Sequence, residues 1–549
     1  MGFFSTLTAA VSDTTEASLA SLSLNDAPAK QQQQQQEQRQ TAPTKSTPPS
    51  SASSSPSAAA VAAPLAVRDA LPPPQGEPRP FSLWSFLKDA AGKQLFVLPL
   101  PIGFYLPLTE IQFRLEALEY ASLLDAAAGF PAGSAERASR VAAFALSHYA
   151  ATVRLGKPLL PMHGETFDVV DPAGKFRVVG EAVYTSFKEQ TIRHAWLAES
   201  LTLVRGPSAS SSSPSSSSPA SSSVVVPLWK VESDDQPVVG FKGTHLDFYL
   251  NWRDLVTFAD GEAFAYTLPT SVLGNLLGKR HTLTHRGCLS LRSSRGVGVD
   301  LKFLGEPGGG GRLASMFRSA EDAATVEHEV RGVVVAKERQ QRGEEGAAAI
   351  DDDETSIGSG SWAPLEGAPL LQGQWHLGLW AVEHDDDGDH GGSEGAGRQR
   401  GGRTLLWEVS AGGEREERFD LSPFALRLNA LDAALEAALP ATDSRRRPDL
   451  RALEEGRFDD AYNLKMRLET ALVSRVAEHA AAAKKSGNPT FADASPAPRW
   501  FVERNPESLL LKAGTQALRY RYAGGYWEAR AGGGWEGVDE GIFAAAAAE

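Results

Sequence analysis

Few residues in this 549-residue chain have types and spacings that could do chemistry. Lys465 and Glu469 lie four positions apart, so on a helix they would share one face and form an ion pair. Spacing alone fits equally well with an exposed surface pair, which contributes roughly 0.3–0.5 kcal/mol. Arg193 and His194 are adjacent in "EQTIRH", and only the histidine titrates near neutral pH. The ordinary alternatives are a solvent-facing strand residue for Arg193 and a half-buried, hydrogen-bonded side chain for His194.

Metal binding and catalysis find little support. The run "HDDDGDHGG" holds His384 and His390 at a density that metal sites also show. No helix or strand pattern fixes these residues, so we interpret the run as a solvated acidic insertion. No GxGxxG, Walker or GxSxG pattern lies on a strand-turn-helix unit. We therefore predict no metal, no cofactor and no enzymatic activity.

Strand patterns dominate between about residue 165 and residue 410. In "GVGVDLKF", the apolar residues Val297, Val299, Leu301 and Phe303 alternate with small or polar ones, as in a half-buried strand. Similar short runs follow in "LLQGQWHLGLWAVE" and "RTLLWEVS". The predicted fold class is mainly β (α+β), with a barrel or sandwich at its centre.

Helices are predicted on both sides of this region. Thr109 and Gln112 form a capping box at the start of "LTEIQFRLEALEYASLLDAAAG", and Gly129 ends that helix. A long helix is predicted in "DAYNLKMRLETALVSRVAEHAAAAKKSG", because apolar residues recur there at a spacing of four. These residues are Leu464, Leu468, Leu472 and Val476.

Composition limits the classes of protein. Hydrophobic residues make up 42% and charged residues 22%, as in a chain with a real core. A net charge of −14 argues against nucleic acid as a partner. Cys288 is the single cysteine, which excludes an internal disulfide and fits a reducing compartment. No apolar run of about 18 residues occurs, so we expect a cytoplasmic protein that is peripheral on membranes.

Low-complexity segments set the expected boundaries. Residues 1–80 read as a disordered tail, and residues 81–549 as one domain. Disordered insertions are expected near 206–223, 337–361 and 383–402, since long surface loops cost little closure entropy.

Several segments resemble the oxysterol-binding protein-related family. "KPLLPMHGETFDV" is similar to the family's K-P-L-N-P-x-x-G-E segment, and "EQTIRH" with "AWLAES" resembles its E-Q-V-S-H-H-P-P strand and A-E-S ending. "LPATDSRRRPDLRALEEGRFDDA" is close to the family's L-P-x-T-D-S-R-x-R-P-D-x-R-A-L-E-x-G segment, and "PRWF" and "GGYWE" match later stretches. The resemblance begins at about residue 82. It implies a large, near-complete antiparallel β-barrel around an apolar tunnel, with an N-terminal lid and helices and a long C-terminal helix.

The stretch "FSLWSFLKDAAGKQLFVLPLPIGFYLPL" resembles the lid of that family. Leu83, Trp84, Phe86 and Leu87 are apolar enough to cover a tunnel mouth or enter an interface. A short amphipathic helix docked on the core is the alternative.

The phosphoinositide-binding fingerprint of the family is altered. Members that carry phosphatidylinositol 4-phosphate hold its headgroup with the lysine and asparagine of K-P-L-N-P, two histidines, and a lysine, glutamate and arginine on the late helix. Lys157 matches the first lysine, but Leu160 replaces the asparagine. Lys465 and Glu469 match the late helix, whereas Val473, one further spacing of four along it, stands where the family's arginine would be.

Two registers are open for the histidine pair. If Glu181 is the family's glutamate, Thr185 and Ser186 replace the histidines and four residues are inserted. If "EQTIRH" is the match, Arg193 and His194 replace them. We favour the second register because it keeps more identities, and because Arg193 could bind phosphate bidentately.

The resemblance implies binding of a lipid, a sterol more readily than a phospholipid, and its non-vesicular transfer between membranes that are contacted transiently. A dry tunnel is required, because exposing apolar lipid surface costs about 25 cal/mol per Å². Lys157, Arg193, His194, Lys465 and Glu469 would bind the headgroup, and exchange of phosphatidylinositol 4-phosphate would be weakened. The alternative is a lipid sensor or scaffold that binds without catalysing transfer.

Overall fold

The computed structural model describes a defined part of the chain: residues 64, 66–78, 101–186, 191–206, 225–235, 237–241, 245–250, 253–274, 282–304, 328–338, 361–383, 402–410, 415–485, 497–504, 518–539 and 541–546. The proposed lid residues Leu83, Trp84, Phe86 and Leu87 lie outside this part, as do nearly all residues of the three predicted insertions.

Strands make up most of the described structure. In chain order they are β1 (Tyr105–Thr109), β2 (Lys157–Leu159), β3 (Thr166–Val170), β4 (Phe176–Ser186), β5 (Thr191–Ser200), β6 (Leu203–Arg205), β7 (Val225–Pro227), β8 (Trp229–Asp235), β9 (Pro237–Phe241), β10 (Leu246–Leu250), β11 (Arg253–Phe258), β12 (Ala263–Thr267), β13 (Thr270–Gly274), β14 (Thr282–Ser293), β15 (Val297–Phe303), β16 (Glu329–Lys337), β17 (Trp362–Pro364), β18 (Leu370–Gln374), β19 (Gly378–Val382), β20 (Arg403–Glu408), β21 (Phe501–Glu503) and β22 (Tyr520–Tyr522).

Helices precede and follow the strand-rich region. They are α1 (Glu110–Leu115), α2 (Ser122–Ala128), α3 (Ala135–Ser147), α4 (Pro423–Leu428), α5 (Ala433–Ala438), α6 (Pro448–Glu454), α7 (Phe458–Lys485) and α8 (Tyr526–Gly532). Short 3-10 turns cover Ile102–Phe104, Glu116–Tyr120, His148–Val153, Ser444–Arg446 and Ala544–Ala546.

One antiparallel sheet of 16 strands forms the centre of the described fold. Its main path runs β20-β19-β18-β16-β15-β14-β12-β11-β8-β5-β4-β3, and β9, β10, β13 and β17 pair at its sides. The predicted large antiparallel sheet is thus confirmed. Within the described residues, the end strands β3 and β20 do not pair with each other, so the predicted closure into a barrel is not seen there.

Period-two alternation determines the buried face of the sheet. Val297, Val299, Leu301 and Phe303 of β15 are all buried, as their spacing predicts. On this inner face, α3 packs against β14, β15, β16, β19 and β20. Phe144 is among the fully buried residues that α3 contributes to the main hydrophobic core. The helix α3 therefore covers part of the inner face of the sheet.

The first predicted helix is interrupted. Its capping box is present, with Thr109 N–H donating to Gln112 Oε1 at 2.8 Å and Gln112 N–H donating to Thr109 Oγ1 at 3.4 Å. The helix then changes to a 3-10 turn over Glu116–Tyr120 before α2 begins. Glu116 in that turn is buried and pairs with Arg154. Side chains on several sides of the turn are buried, so a single apolar stripe does not describe this stretch.

The segment "TDSRRRPD" connects the C-terminal helices to the sheet through buried charges. Arg445 contacts Asp168 of β3 at 2.6 Å and Asp443 at 2.8 Å. Arg447 contacts Glu165 at 3.0 Å. All five side chains have almost no solvent exposure, and buried charges are tolerated only when paired. This motif is therefore an anchor for the fold.

Residues 66–78 contact the same C-terminal helices. Arg68 donates to Glu454 Oε1 at 2.6 Å and to the Leu426 carbonyl, and Gln75 N–H donates to the Glu455 carbonyl at 2.9 Å. Leu71 packs against the main hydrophobic core. This stretch, which the sequence assigns to the N-terminal tail, is in contact with the domain.

Candidate functional site

Two of the predicted basic residues meet at a tyrosine. β1 and β2 pair in parallel, which places Tyr105 beside Lys157. The Nζ atom of Lys157 lies 5.8 Å from the centroid of the Tyr105 ring, and that of Lys465, on α7, lies 4.6 Å from it. Both distances are in the range of cation–π contacts. The structure thus brings Lys157 and Lys465 together although 308 positions separate them (465 − 157).

Lys465 is a buried ion-pair partner. Its side chain is 1% exposed, and its Nζ lies 2.8 Å from Glu469 Oε2 one turn further along α7. Burial lowers the pKa of Lys465, while the Glu469 carboxylate opposes that shift and the Lys157 ammonium adds to it. An exposed surface pair does not describe this contact, because the ammonium is removed from water.

The two substituted positions of the fingerprint carry apolar side chains. Leu160 follows β2 and packs partly buried against the main core. Its carbonyl accepts a hydrogen bond from Arg447 Nη1 at 2.7 Å. Val473 on α7 is 47% exposed. Neither side chain can donate a hydrogen bond to an anion.

His194 lies on the inner face of β5. It shares that face with Trp196 and Ala198, which belong to the main core. Its Nε2 lies 3.2 Å from Oε2 of Glu110, the first residue of α1. A carboxylate therefore lies next to this ring nitrogen.

Arg193 lies on the opposite, outer face. Its Nη1 donates to the Asp234 carbonyl at 3.1 Å and to Asp234 Oδ1 at 3.3 Å. Adjacent strand residues point to opposite faces of a sheet, so Arg193 and His194 do not converge on one ligand. The resemblance predicts both side chains at one entrance, and the structure places them on opposite faces of β5.

Sequence reasoning missed Tyr105 and Glu110. Tyr105 contacts the lysines because β1 pairs with β2, a strand 52 positions further on (157 − 105), and no local pattern signals that pairing. Glu110 has the position of an ordinary acidic residue in the first turn of a helix, which stabilises the helix dipole. Its contact with His194 depends on the packing of α1 on the sheet.

Two further findings concern the described residues only. No group of three or more His, Cys, Asp and Glu side chains there is arranged to hold a metal ion. No helix among them is both long and apolar enough to cross a membrane.

The chain matches a known family model. The model described as Oxysterol-binding protein matches residues 82–186 and 366–531. The first matched stretch ends at Ser186, the last residue of β4.

Curated relatives carry the same family name. Oxysterol-binding protein-related protein 2B of Arabidopsis thaliana is 28% identical over 472 residues, which cover 85% of this chain and 53% of the relative. Oxysterol-binding protein homolog 2 of Saccharomyces cerevisiae is 29% identical over 464 residues, covering 82% of this chain and 29% of the relative. The chain thus spans about half the length of the first relative and less of the second.

Solved structures share the fold. The Osh1 ORD domain in complex with cholesterol has a TM-score of 0.60 at 24% identity, covering 85% of this chain and 93% of that domain. The Osh3 ORD in complex with PI(4)P from Saccharomyces cerevisiae has a TM-score of 0.57 at 22% identity, covering 87% of this chain and 100% of that domain. The solved structures show the shared fold, and the matched family model together with the curated relatives shows that the chain belongs to the oxysterol-binding protein family.

Proposed function

We propose that this chain binds an uncharged lipid, of which a sterol is the leading candidate, and transfers it between membranes. The fold it shares with the Osh1 ORD domain, which has been solved with cholesterol and with ergosterol, supports a sterol ligand. The lipid would lie on the apolar inner face of the sheet, within a near-complete barrel. No catalytic step is part of the proposal.

The observation that carries the preference for an uncharged lipid is the pairing of the basic groups. Lys465 is 2.8 Å from Glu469, and His194 is 3.2 Å from Glu110. Arg193 faces away from His194 and pairs with Asp234. A dense phosphate anion needs several charge-assisted donors, and these donors already have anionic partners.

Binding of phosphatidylinositol 4-phosphate would require Lys465 to exchange Glu469 for the phosphate. Leu160 and Val473 add no donor to compensate for that exchange. Leaving a buried charged group without its partner costs about 1–3 kcal/mol or more. We therefore propose that Lys157, Lys465 and Glu469 form a residual headgroup site, and that phosphoinositide exchange is weak.

The cover of the lipid is also part of the proposal. Leu83, Trp84, Phe86 and Leu87 would shield the bound lipid from water, as the resemblance implies. Contact with membranes would be peripheral and transient.

A transfer assay tests this function and separates a carrier from a sensor. The full chain is mixed with donor liposomes that contain a fluorescent sterol and with acceptor liposomes that carry a quencher. A carrier increases the transfer rate in proportion to its concentration. A chain that binds the sterol but does not accelerate transfer is a sensor or scaffold, and a chain that does not bind the sterol contradicts the proposal.

A further inference from the structure

The outer face of β4 and β5 is covered by two short C-terminal strands. β21 and β22 pair antiparallel, with Phe501 opposite Tyr522, and we call them the C-terminal hairpin. Buried residues of the two layers form a separate hydrophobic cluster: Val170, Val179, Val183, Ala195, Trp500, Phe501, Tyr520, Tyr526 and Trp527.

A carboxylate from β4 holds the start of this hairpin. Glu181 lies in the middle of β4 and is only 3% exposed. Its Oε1 accepts the backbone N–H of Arg499 at 2.8 Å, and its Oε2 accepts that of Trp500 at 2.9 Å. Both oxygens of one buried carboxylate are thus used on two consecutive amides. Each hydrogen bond of this kind contributes about 0.5–1.5 kcal/mol.

A second carboxylate holds the other strand of the hairpin in the same manner. Asp234, near the end of β8, is 5% exposed. Its Oδ2 accepts the backbone N–H groups of Arg519 and Tyr520, the latter at 2.9 Å. Its Oδ1 accepts from Arg193 Nη1. Arg193 therefore supports the aspartate that binds the hairpin.

We propose that Glu181, Asp234 and Arg193 form a carboxylate clamp that fixes the C-terminal hairpin to the sheet and thereby positions the β4–β5 pair. The opposite face of that pair meets α1: a Cβ built on Gly180 would lie only 3.2 Å from the Ile111 methyl group. His194 of β5 contacts Glu110 on the same side. The strand pair is held from both sides, so loosening the outer contact frees its inner face to shift.

This inference gives Arg193 and Glu181 roles that the family fingerprint does not. Both residues belong to the stretch in which headgroup ligands were expected, and both bind the C-terminal segment instead. They are positioning residues, because neither touches the site at Lys157 and Lys465 in the described structure. The effect of the clamp on lipid uptake rests on the proposed function, whereas its effect on the hairpin does not.

Hydrogen–deuterium exchange of the full chain tests the clamp directly. The variants are Glu181→Gln and Asp234→Asn, with Asp300→Asn as the matched control. Asp300 is a partly exposed carboxylate on β15 whose contacts go to Arg292 and Ser290 of β14. We expect amides in 499–503 to exchange about tenfold faster or more in Glu181→Gln, and amides in 518–522 in Asp234→Asn. The control should leave both segments unchanged.

Arg193→Gln provides a milder variant if a carboxylate variant does not fold. In the described part of the chain, the Arg193 side chain contacts Asp234. The variant should therefore accelerate exchange in 518–522 and leave the exchange rate of 499–503 close to that of the unchanged chain. Unchanged exchange in both segments for folded Glu181→Gln and Arg193→Gln would overturn the clamp.

Lipid extraction by the same variants tests the positioning role. Faster hairpin exchange together with a slower rate of sterol extraction, relative to Asp300→Asn, supports the full inference. Faster exchange with an unchanged extraction rate would overturn the positioning role. If the unchanged chain extracts no sterol, the proposed function fails, while the exchange data still decide whether the clamp exists.

Discussion

Restoring a lost donor should restore binding of a phosphoinositide headgroup. Val473 lies on α7 one turn beyond Glu469, and Glu469 contacts Lys465. Val473→Arg places a guanidinium next to this ion pair without removing a core side chain, because Val473 is 47% exposed. We expect this variant to bind phosphatidylinositol 4-phosphate more tightly than the unchanged chain.

The size of the effect follows from the exposure of the position. A hydrogen bond to a charged partner contributes about 1.5–3 kcal/mol when it is shielded from water. A position that is about half exposed should give the low end, about 1.5 kcal/mol, which corresponds to roughly tenfold in affinity. The new arginine can also pair with Glu469, which would loosen the contact of Glu469 with Lys465 by a few tenths of a kcal/mol, roughly.

The assay is extraction from liposomes that contain phosphatidylinositol 4-phosphate, measured over a series of lipid concentrations. Leu203→Arg is the matched control, because Leu203 is a 50% exposed apolar residue on β6 and the charge change is identical. The control corrects for the general attraction of a more basic chain to anionic membranes. If Val473→Arg extracts no more of the lipid than Leu203→Arg, the missing donor is not the reason for weak binding.

Three further predictions concern stability. Arg445→Ala should lower the free energy of unfolding by about 3–5 kcal/mol in urea titrations, because it removes the guanidinium that pairs with the buried Asp443 carboxylate and one of the two, with Arg530, that pair with the buried Asp168 carboxylate; a loss below about 1 kcal/mol would contradict a role as anchor. Burial raises the pKa of Glu181 from 4.5 to about 7, so the folded state binds a proton that the unfolded state releases. The free energy of unfolding should therefore rise by up to about 3 kcal/mol as pH falls from above 7 toward 4.5. Glu181→Gln should flatten this pH profile. An equally steep profile in that variant would show that another group causes the pH dependence. Arg68→Ala breaks the contact with the buried Glu454 carboxylate and should lower the free energy of unfolding by about 1–3 kcal/mol. The same variant should be cleaved faster by a protease within residues 66–78. An unchanged cleavage rate would show that the contact does not hold this segment.

Strand and helix identity followed from local patterns. The alternation from Val297 to Phe303 fixes both the strand and its buried face, because the side-chain period of a strand is two. The spacing of Leu464, Leu468 and Leu472 similarly predicted the long helix α7, and Leu468 and Leu472 are buried as expected. The capping box at Thr109 located the start of α1 to the residue.

Contacts between distant segments could not be predicted in this way. The position of Tyr105 between Lys157 and Lys465 depends on a parallel strand pair and on the packing of α7. The contacts of residues 66–78 with α4 and α6 were hidden by a composition typical of a disordered tail. Composition predicts the average behaviour of a segment, but the contacts of this segment are made by single residues such as Arg68 and Leu71.

One separation was predictable and was overlooked. Arg193 and His194 are neighbours in a strand pattern, and period two places neighbours on opposite faces. Matching the pair to two family histidines by position assumed that both side chains reach the same ligand. The alternation rule applied to "TIRHAWLAES" would have assigned His194 to the face of Trp196 and Arg193 to the other.

The central claim is that the chain carries an uncharged lipid and has lost most of its affinity for a phosphoinositide headgroup. Extraction of a sterol and of phosphatidylinositol 4-phosphate from the same liposomes by the full chain tests this claim most directly. The account predicts that sterol is extracted and that an excess of phosphatidylinositol 4-phosphate does not displace it. Equal extraction of both lipids, with mutual competition, would contradict the account and would show that Lys157 and Lys465 suffice as a headgroup site.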